Sequence, residues 1–165
     1  MEGMSTVNRE LTIRPAAKDL AKRKKVTISS TFGRSTNEKG ISFAVDGLED
    51  TCLIIKSSKA DDFPWMTVNL GNIYNVTHVY IYSGENTPLN SVSVGRTTAE
   101  FPKITELRNP MNKSDICFPV PVSDFSITDQ ICSKPLRTKF ISLFSKFATE
   151  LRVCQFSVFD DPLEP

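Results

Sequence analysis

Four cysteines, Cys52, Cys117, Cys132 and Cys154, place the tightest limit on what this chain can become. None belongs to a C-x-x-C pair, and the single histidine, His78, has no cysteine near it, so the spacing does not suit zinc. An even number of widely separated cysteines suits two disulfides formed in an oxidising compartment. Three pairings of four cysteines remain open at this point. The triplets Asn75-Val76-Thr77 and Asn112-Lys113-Ser114 are candidate glycosylation sites and point to the same compartment. The expected location is therefore extracellular, as a secreted protein or the ectodomain of a membrane protein.

A chain of 165 residues has the mass for one domain and one core. The formal net charge of +1 supplies no global field toward nucleic acid or an anionic membrane surface. No stretch reaches the roughly 20 apolar residues of a membrane span. Residues 1–14 lack the apolar centre of a signal peptide and read as an N-terminal tail. Residues 161–165 read as a C-terminal tail, leaving one domain over 15–160. The run Lys22-Arg23-Lys24-Lys25 is short, and reads as a solvated lead-in to the first strand rather than a heparin or nuclear-import signal.

Strand signals recur along the domain. Val76–Ser83 alternates, with Thr77, Val79 and Ile81 on one face and His78, Tyr80 and Tyr82 on the other. Ser91–Gly95 puts both its valines on one face. Trp65–Leu70 reads as a strand closed by Gly71-Asn72, while Phe140–Phe144 and Leu151–Phe159 are rich in aromatic and β-branched residues. Between them lie turn clusters at Ser83–Pro88, Asn109–Asn112 and Phe118–Pro121. Only Ala16–Lys25 could form a helical turn. Ten prolines and short strands predict an antiparallel sandwich rather than a parallel sheet with crossover helices.

Four segments resemble one family, the F-type lectin branch of the discoidin-like domains. Asp19-Leu20-Ala21 with Val26–Thr31 is similar to its opening strand. Phe43-Ala44-Val45-Asp46-Gly47, then Thr51-Cys52, resembles its Ala-x-Asp-Gly segment leading to a cysteine. Pro64–Gly71 resembles its Pro-Trp-Trp-x-Val-Asp-Leu-Gly strand, and Leu151–Val158 its closing Leu-x-Leu-Cys-Glu-Val-x-Val strand. The order holds from about Ala17 to Phe159. The resemblance implies an all-β fold, an eight-stranded antiparallel jelly-roll sandwich of the galactose-binding-like kind. It also implies the pairs Cys52–Cys154 and Cys117–Cys132. Chain-entropy reasoning gives the shorter loop about 3 kcal/mol and the longer roughly 5.

The resemblance further implies a structural Ca2+ beside the long-range disulfide, held by Asp46, the carbonyls of Phe43 and Leu48, Thr51 and Gln155. Gln155 stands where the family has glutamate and offers an oxygen without charge. Asp46-Gly47 read without the family is simply a turn. Fucose-binding members use a histidine after the first cysteine and basic residues around the next strand and its loop. Here the residues after Cys52 are Leu53, Ile54 and Ile55, the strand is followed by Ser83-Gly84-Glu85-Asn86, and no Arg or Lys lies between Lys59 and Arg96.

The usual fucose site is thus missing, and Ile54, Ile55, Glu85, Asn86 and Arg96 become the candidate ligand contacts. His78 reads as a half-exposed sheet residue, and Trp65 as core. No nucleophile–histidine, phosphate-loop or H-E-x-x-H pattern occurs, and the neighbours Asp61-Asp62 and Asp160-Asp161 do not make a catalytic pair, so no enzyme is expected. The expectation is a lectin-like adhesion module whose partner is a cell-surface glycan, read through loops at one end of the sandwich. The alternative is a receptor-ectodomain module binding a protein ligand through an apolar tip at Leu53–Ile55.

Overall fold

The computed structural model describes residues 18–29, 41–56, 63–107 and 112–160. Both tails, Asp61-Asp62 and the Asn109–Met111 turn lie outside them. Among the described residues seven strands run in chain order: β1 (Lys25–Ile28), β2 (Leu53–Lys56), β3 (Trp65–Tyr82), β4 (Val92–Thr97), β5 (Ile127–Ser145), β6 (Glu150–Val153) and β7 (Gln155–Phe159). Two 3-10 turns, η1 (Ser42–Val45) and η2 (Ile104–Leu107), lie between the strands. Every strand pairing is antiparallel. The larger sheet has the order β1-β3-β5-β4, with β7 also paired to β3, and β2 pairs β6 in a separate ribbon. The protein is an all-β jelly-roll sandwich.

Two strands are unusually long, and both are bent. Trp65–Leu70 and Val76–Ser83 read as separate strands in the sequence, yet they are the two halves of β3. Asn69 pairs Phe140 and Tyr74 pairs Thr138, so β3 spends more residues than β5 across this step. Gly71 takes φ +87° there, and its N–H is bonded by the Asn69 side chain at 2.9 Å. Left-handed backbone of this kind suits glycine. The first half of β3 pairs β1 and the second half pairs β7. This step separates the stretch of β3 that pairs β1 from the stretch that pairs β7, and seven strands lie among the described residues where the resemblance implies eight.

A second step falls between Val76↔Leu136 and His78↔Ile131. Here the excess lies on β5, over residues 132–135. Pro135 has no N–H to give to a ladder, and it stands at this step, where residues 132–135 have no register partner on β3. Cys132 stands at the same step and joins Cys117, while Ser133 N–H bonds the Cys117 carbonyl at 2.8 Å. The second disulfide joins Cys52 to Cys154, so both pairs are those the resemblance implies.

Most of the core is one cluster. Met66, Val68, Val79, Ile81, Val94, Leu143, Phe156 and Val158 meet from the larger sheet, and Leu53, Ile55, Leu151 and Val153 close over them from the ribbon. Trp65 is core, as expected, but in a second cluster with Phe63, Phe144 and Leu107. The start of β3 is therefore buried on both faces, one against the main core and one beneath η2. Ala16 and Ala17 lie outside the described residues. Of the helical turn expected near them, the described part is a tight turn in which Lys24 N–H bonds the Ala21 carbonyl at 3.1 Å.

Candidate functional site

The Cys52–Cys154 bridge organises one end of the sandwich. Cys154 sits between β6 and β7, and its N–H bonds the Tyr82 carbonyl at 2.7 Å, fixing the bridge against the end of β3. The chain then leaves β3 at Ser83-Gly84. Gly84 has φ +107°, and a Cβ there would stand 3.2 Å from Arg152 Nε and 3.3 Å from Cys154 Sγ. The sequence needs glycine twice over, for the backbone angle and for the close approach. Thr87 N–H returns to the Gly84 carbonyl at 3.1 Å, with Asn86 in the left-handed region at φ 60°. Ser83 Oγ ties the loop down through the Thr87 and Ser126 carbonyls, and Ser145 Oγ donates to the Asn90 carbonyl.

Between this loop and the start of β6 lies a cleft of about 60 Å³, lined by Ser83, Thr87, Pro88, Asn90, Glu150 and Arg152 among others. Arg152 is its distinctive residue. Its Nε is buried against Gly84 without a hydrogen-bonding partner. An unsatisfied buried donor is uncommon and calls for a physical reason. Ile54 is the register partner of Arg152 across β2 and β6, so the two side chains share a face. Ile54 is exposed, whereas Leu53 and Ile55 point the other way and are buried. Lys56 pairs Glu150 one step further along. The end of the fold thus offers the Arg152 guanidinium, the Glu150 carboxylate, hydroxyl and amide groups, and apolar side chains that include exposed Ile54.

The placement corrects several expectations. Ile55 is 1% exposed, so it is a core residue and no ligand contact, and an apolar tip over Leu53–Ile55 does not form. The period-2 alternation of β2, pinned by the disulfide, turns only Ile54 outward. Glu85 and Asn86 do lie on the exposed loop beside the cleft. Arg96 does not join them: it pairs Ile141 well along β4, while the loop meets the Val92–Ser145 end. Four residues of strand separate the two positions by about 13 Å. His78 is buried, not half-exposed. It stacks on Phe159 with ring centroids 5.2 Å apart, and its Nε2 lies 3.1 Å from Asp129 Oδ1. Asn75 and Asn112, the sequon asparagines, are both exposed.

Arg152 escaped the sequence reading because it occupies the variable position of the closing Leu-x-Leu-Cys strand, a segment read as core. The available signal was its alternation: with Leu151 and Val153 inward, Arg152 must face outward.

The expected calcium ligands are partly gathered. Asp46 Oδ1 accepts the Leu48 N–H at 2.9 Å, and its Oδ2 accepts the Thr51 hydroxyl at 2.6 Å. Thr51 Oγ1 is also 3.2 Å from the Leu48 carbonyl. Phe43 lies just before this loop in η1, and Gln155 follows Cys154. The Gln155 amide nitrogen bonds Ser157 at 2.9 Å and Asp19 at 3.5 Å, leaving Oε1 buried without a partner. Asp46, Thr51 and the Leu48 carbonyl are oxygens of the kind a hard cation takes, but with one carboxylate among them, and no cluster of three His, Cys, Asp or Glu side chains among the described residues, they fit only weak binding. Tyr80 Oη donates to Glu49 at 2.7 Å and fastens the same loop to β3. Burial first, and then this carboxylate, push the phenol well above its ordinary value.

No protein-family model matches the chain, and no curated protein is detectably similar in sequence. Solved structures are similar in fold. A chitosan-binding module of a Paenibacillus sp. IK-5 chitosanase/glucanase superposes with TM-score 0.62 at 20% identity, over 86% of this chain and 98% of that one. The lectin domain of lectinolysin, solved with Lewis B antigen, gives 0.63 at 18% identity, over 88% and 98%. A Streptococcus pneumoniae fucose-binding module gives 0.63 at 17% identity, over 90% and 99%. These neighbours are lectin and carbohydrate-binding modules of the galactose-binding-like fold. At such identities they establish the architecture of this chain, and its ligand has to be argued from its own residues.

Proposed function

We propose that the protein is a non-catalytic, extracellular carbohydrate-binding module that holds a glycan at the cleft between the Ser83–Asn90 loop and β6. The carrying observation is Arg152, a guanidinium set at the mouth beside exposed Ile54, with one N–H buried and unsatisfied. Guanidinium forks suit neighbouring sugar hydroxyls, a carboxylate such as Glu150 accepts from others, and an apolar side chain takes the C–H face of a ring. A cleft of about 60 Å³ receives the edge of one residue rather than enclosing a sugar. In this reading a single arginine from the closing strand stands in for the missing basic residues of the loop.

Two further observations support the reading. The one histidine is stacked inside the sheet and is not available as a surface general base. Two disulfides are the fixtures of an oxidising compartment. The same reading assigns weakly held structural calcium to Asp46, Thr51, the Leu48 and Phe43 carbonyls and Gln155, where it would brace the loop ahead of Cys52. A ligand that binds only the folded state raises the melting midpoint. With millimolar affinity, 5 mM calcium should raise it by about 2–4 °C over chelator. An unchanged midpoint removes the ion from the account.

The test is a glycan-array screen of the oxidised protein, in calcium and in chelator. The expected result is binding to one structurally related set of glycans, lost in Arg152→Gln. A blank array at high protein concentration contradicts the proposal and favours a protein ligand.

A further inference from the structure

Away from the cleft, a groove of about 450 Å³ crosses the end of β4 and the middle of β5. Three cations line it, Arg96, Arg137 and Lys139, and the adjoining hollow that shares Arg96 and Arg137 is lined by Asp115 and Glu106 as well. Arg137 and Lys139 are exposed and two residues apart on β5, so they project from one face about 6.5–7 Å apart. Arg96 reaches toward them from β4, held by Nε to Asp115 at 2.7 Å and by one terminal nitrogen to the Arg137 carbonyl at 3.2 Å. A guanidinium has five N–H donors, so three remain for a ligand in an already ordered fork. Exposed Ile73 forms an apolar wall.

From this arrangement we infer that the groove is a second binding site, independent of the cleft, for an anionic polysaccharide. Its cations are spaced along a strand, as the sulfate or carboxylate groups of such a chain are spaced along its sugars. A fork pinned by two bonds loses little freedom on meeting an oxyanion. Single-stranded nucleic acid fits less well, because it needs aromatic faces for its bases. The one aromatic residue in the groove, Phe140, is half-buried and has the Lys139 ammonium 5.7 Å from its ring centroid.

Three carboxylates stand around the groove. Asp115 pairs with Arg96. Glu106 is engaged by the Thr98 hydroxyl at 2.7 Å and the Lys103 N–H at 3.1 Å. Glu100 binds Asn69 at 2.8 Å and Lys25 at 3.2 Å, and Asn69 is the register partner of Phe140, next to Lys139. Glu100 therefore competes with any incoming anion for Lys139, which gives the site a substitution that should strengthen it.

The experiment measures binding of a heparin oligosaccharide, hyaluronan and a single-stranded oligonucleotide of matched charge, at low and physiological salt. The proteins are the wild type, Arg137→Gln/Lys139→Gln, Glu100→Gln, and Lys22→Gln/Lys24→Gln from the basic run near β1. The groove predicts that Arg137→Gln/Lys139→Gln weakens polysaccharide binding about tenfold or more, as loss of two charge-assisted contacts requires. Glu100→Gln should strengthen it, and the Lys22/Lys24 variant should bind as wild type does. Binding of heparin alone assigns sulfate, and binding of hyaluronan as well assigns carboxylate. Retained affinity in Arg137→Gln/Lys139→Gln, transfer of the loss to the Lys22/Lys24 variant, or equal affinity for the oligonucleotide overturns the inference. Single Arg137→Gln, exposed on a strand, repeats the test should the double variant melt early. A blank array of uncharged glycans would leave this site standing, because none of its residues lines the cleft.

Discussion

Gly84 couples stability to binding through two atoms. Its place beside Cys154 Sγ and Arg152 Nε would put a methyl group in tight contact at 3.2–3.3 Å, and its φ of +107° is unfavourable for any side chain. Gly84→Ala should therefore lower stability by about 1–3 kcal/mol, the usual range for a residue forced into such backbone. It should also push the Arg152 guanidinium out of the mouth, so glycan affinity should fall further than unfolding explains. Chemical denaturation beside a binding titration at a temperature where the variant is folded separates the two effects. Asp19 offers a test through pH. Its carboxylate accepts the Ala21 and Val158 N–H groups, yet burial outweighs them and raises its pKa above the ordinary 3.8. The native state thus holds the proton more tightly than the unfolded chain, and the associated stability declines as pH rises from 3.8 through the raised value. Asp19→Asn keeps an acceptor for both N–H groups and removes that slope. Urea unfolding across the acid range should show the two proteins diverging there, and parallel curves would contradict the assignment.

Among the elements, the long strands show where sequence patterns stop being informative. Trp65–Leu70 is legible because its apolar residues sit where a buried strand needs them, whereas the closing segment Leu151–Phe159, read as one strand, breaks at Cys154 into β6 and β7 of separate sheets. The first half of β5 is not legible. Ile127 and Ile131 face solvent at 52% and 62% exposure, and Pro135 interrupts the run, so the pattern argues against the strand that is there. Proline is tolerated because the chain steps out of register at that point, a tertiary arrangement closed by Cys117–Cys132. Arg152 was hidden for a related reason: its meaning depends on Ile54 across the ribbon, and that pairing is set by a disulfide of sequence separation 102. The two bridges should differ in consequence. Removing Cys52–Cys154 by paired alanines should cost about 5 kcal/mol against about 3 for the other pair. The first should also abolish glycan binding, since it frees the floor under Gly84. Thermal melts of both variants, with binding measured below their midpoints, check the order.

At the scale of the molecule, the resemblance read from four short segments matches the architecture, including the pairing of all four cysteines. It did not locate the ligand contacts. Fold is carried by buried positions that many sequences fill alike, whereas a site at loop ends depends on single outward-facing residues. Here those residues form two separate surfaces: a narrow cleft with Arg152, and a wider basic groove with Arg137 and Lys139. They occupy opposite ends of β4, which separates their predictions.

The most direct measurement is a calorimetric titration of the strongest uncharged array glycan into wild type, Arg152→Gln and Arg137→Gln/Lys139→Gln. The account predicts that Arg152→Gln weakens binding about tenfold or more, the loss of a hydrogen bond to a charged donor, while the groove variant matches wild type. Equal affinity of Arg152→Gln and wild type would contradict the account and place the glycan elsewhere.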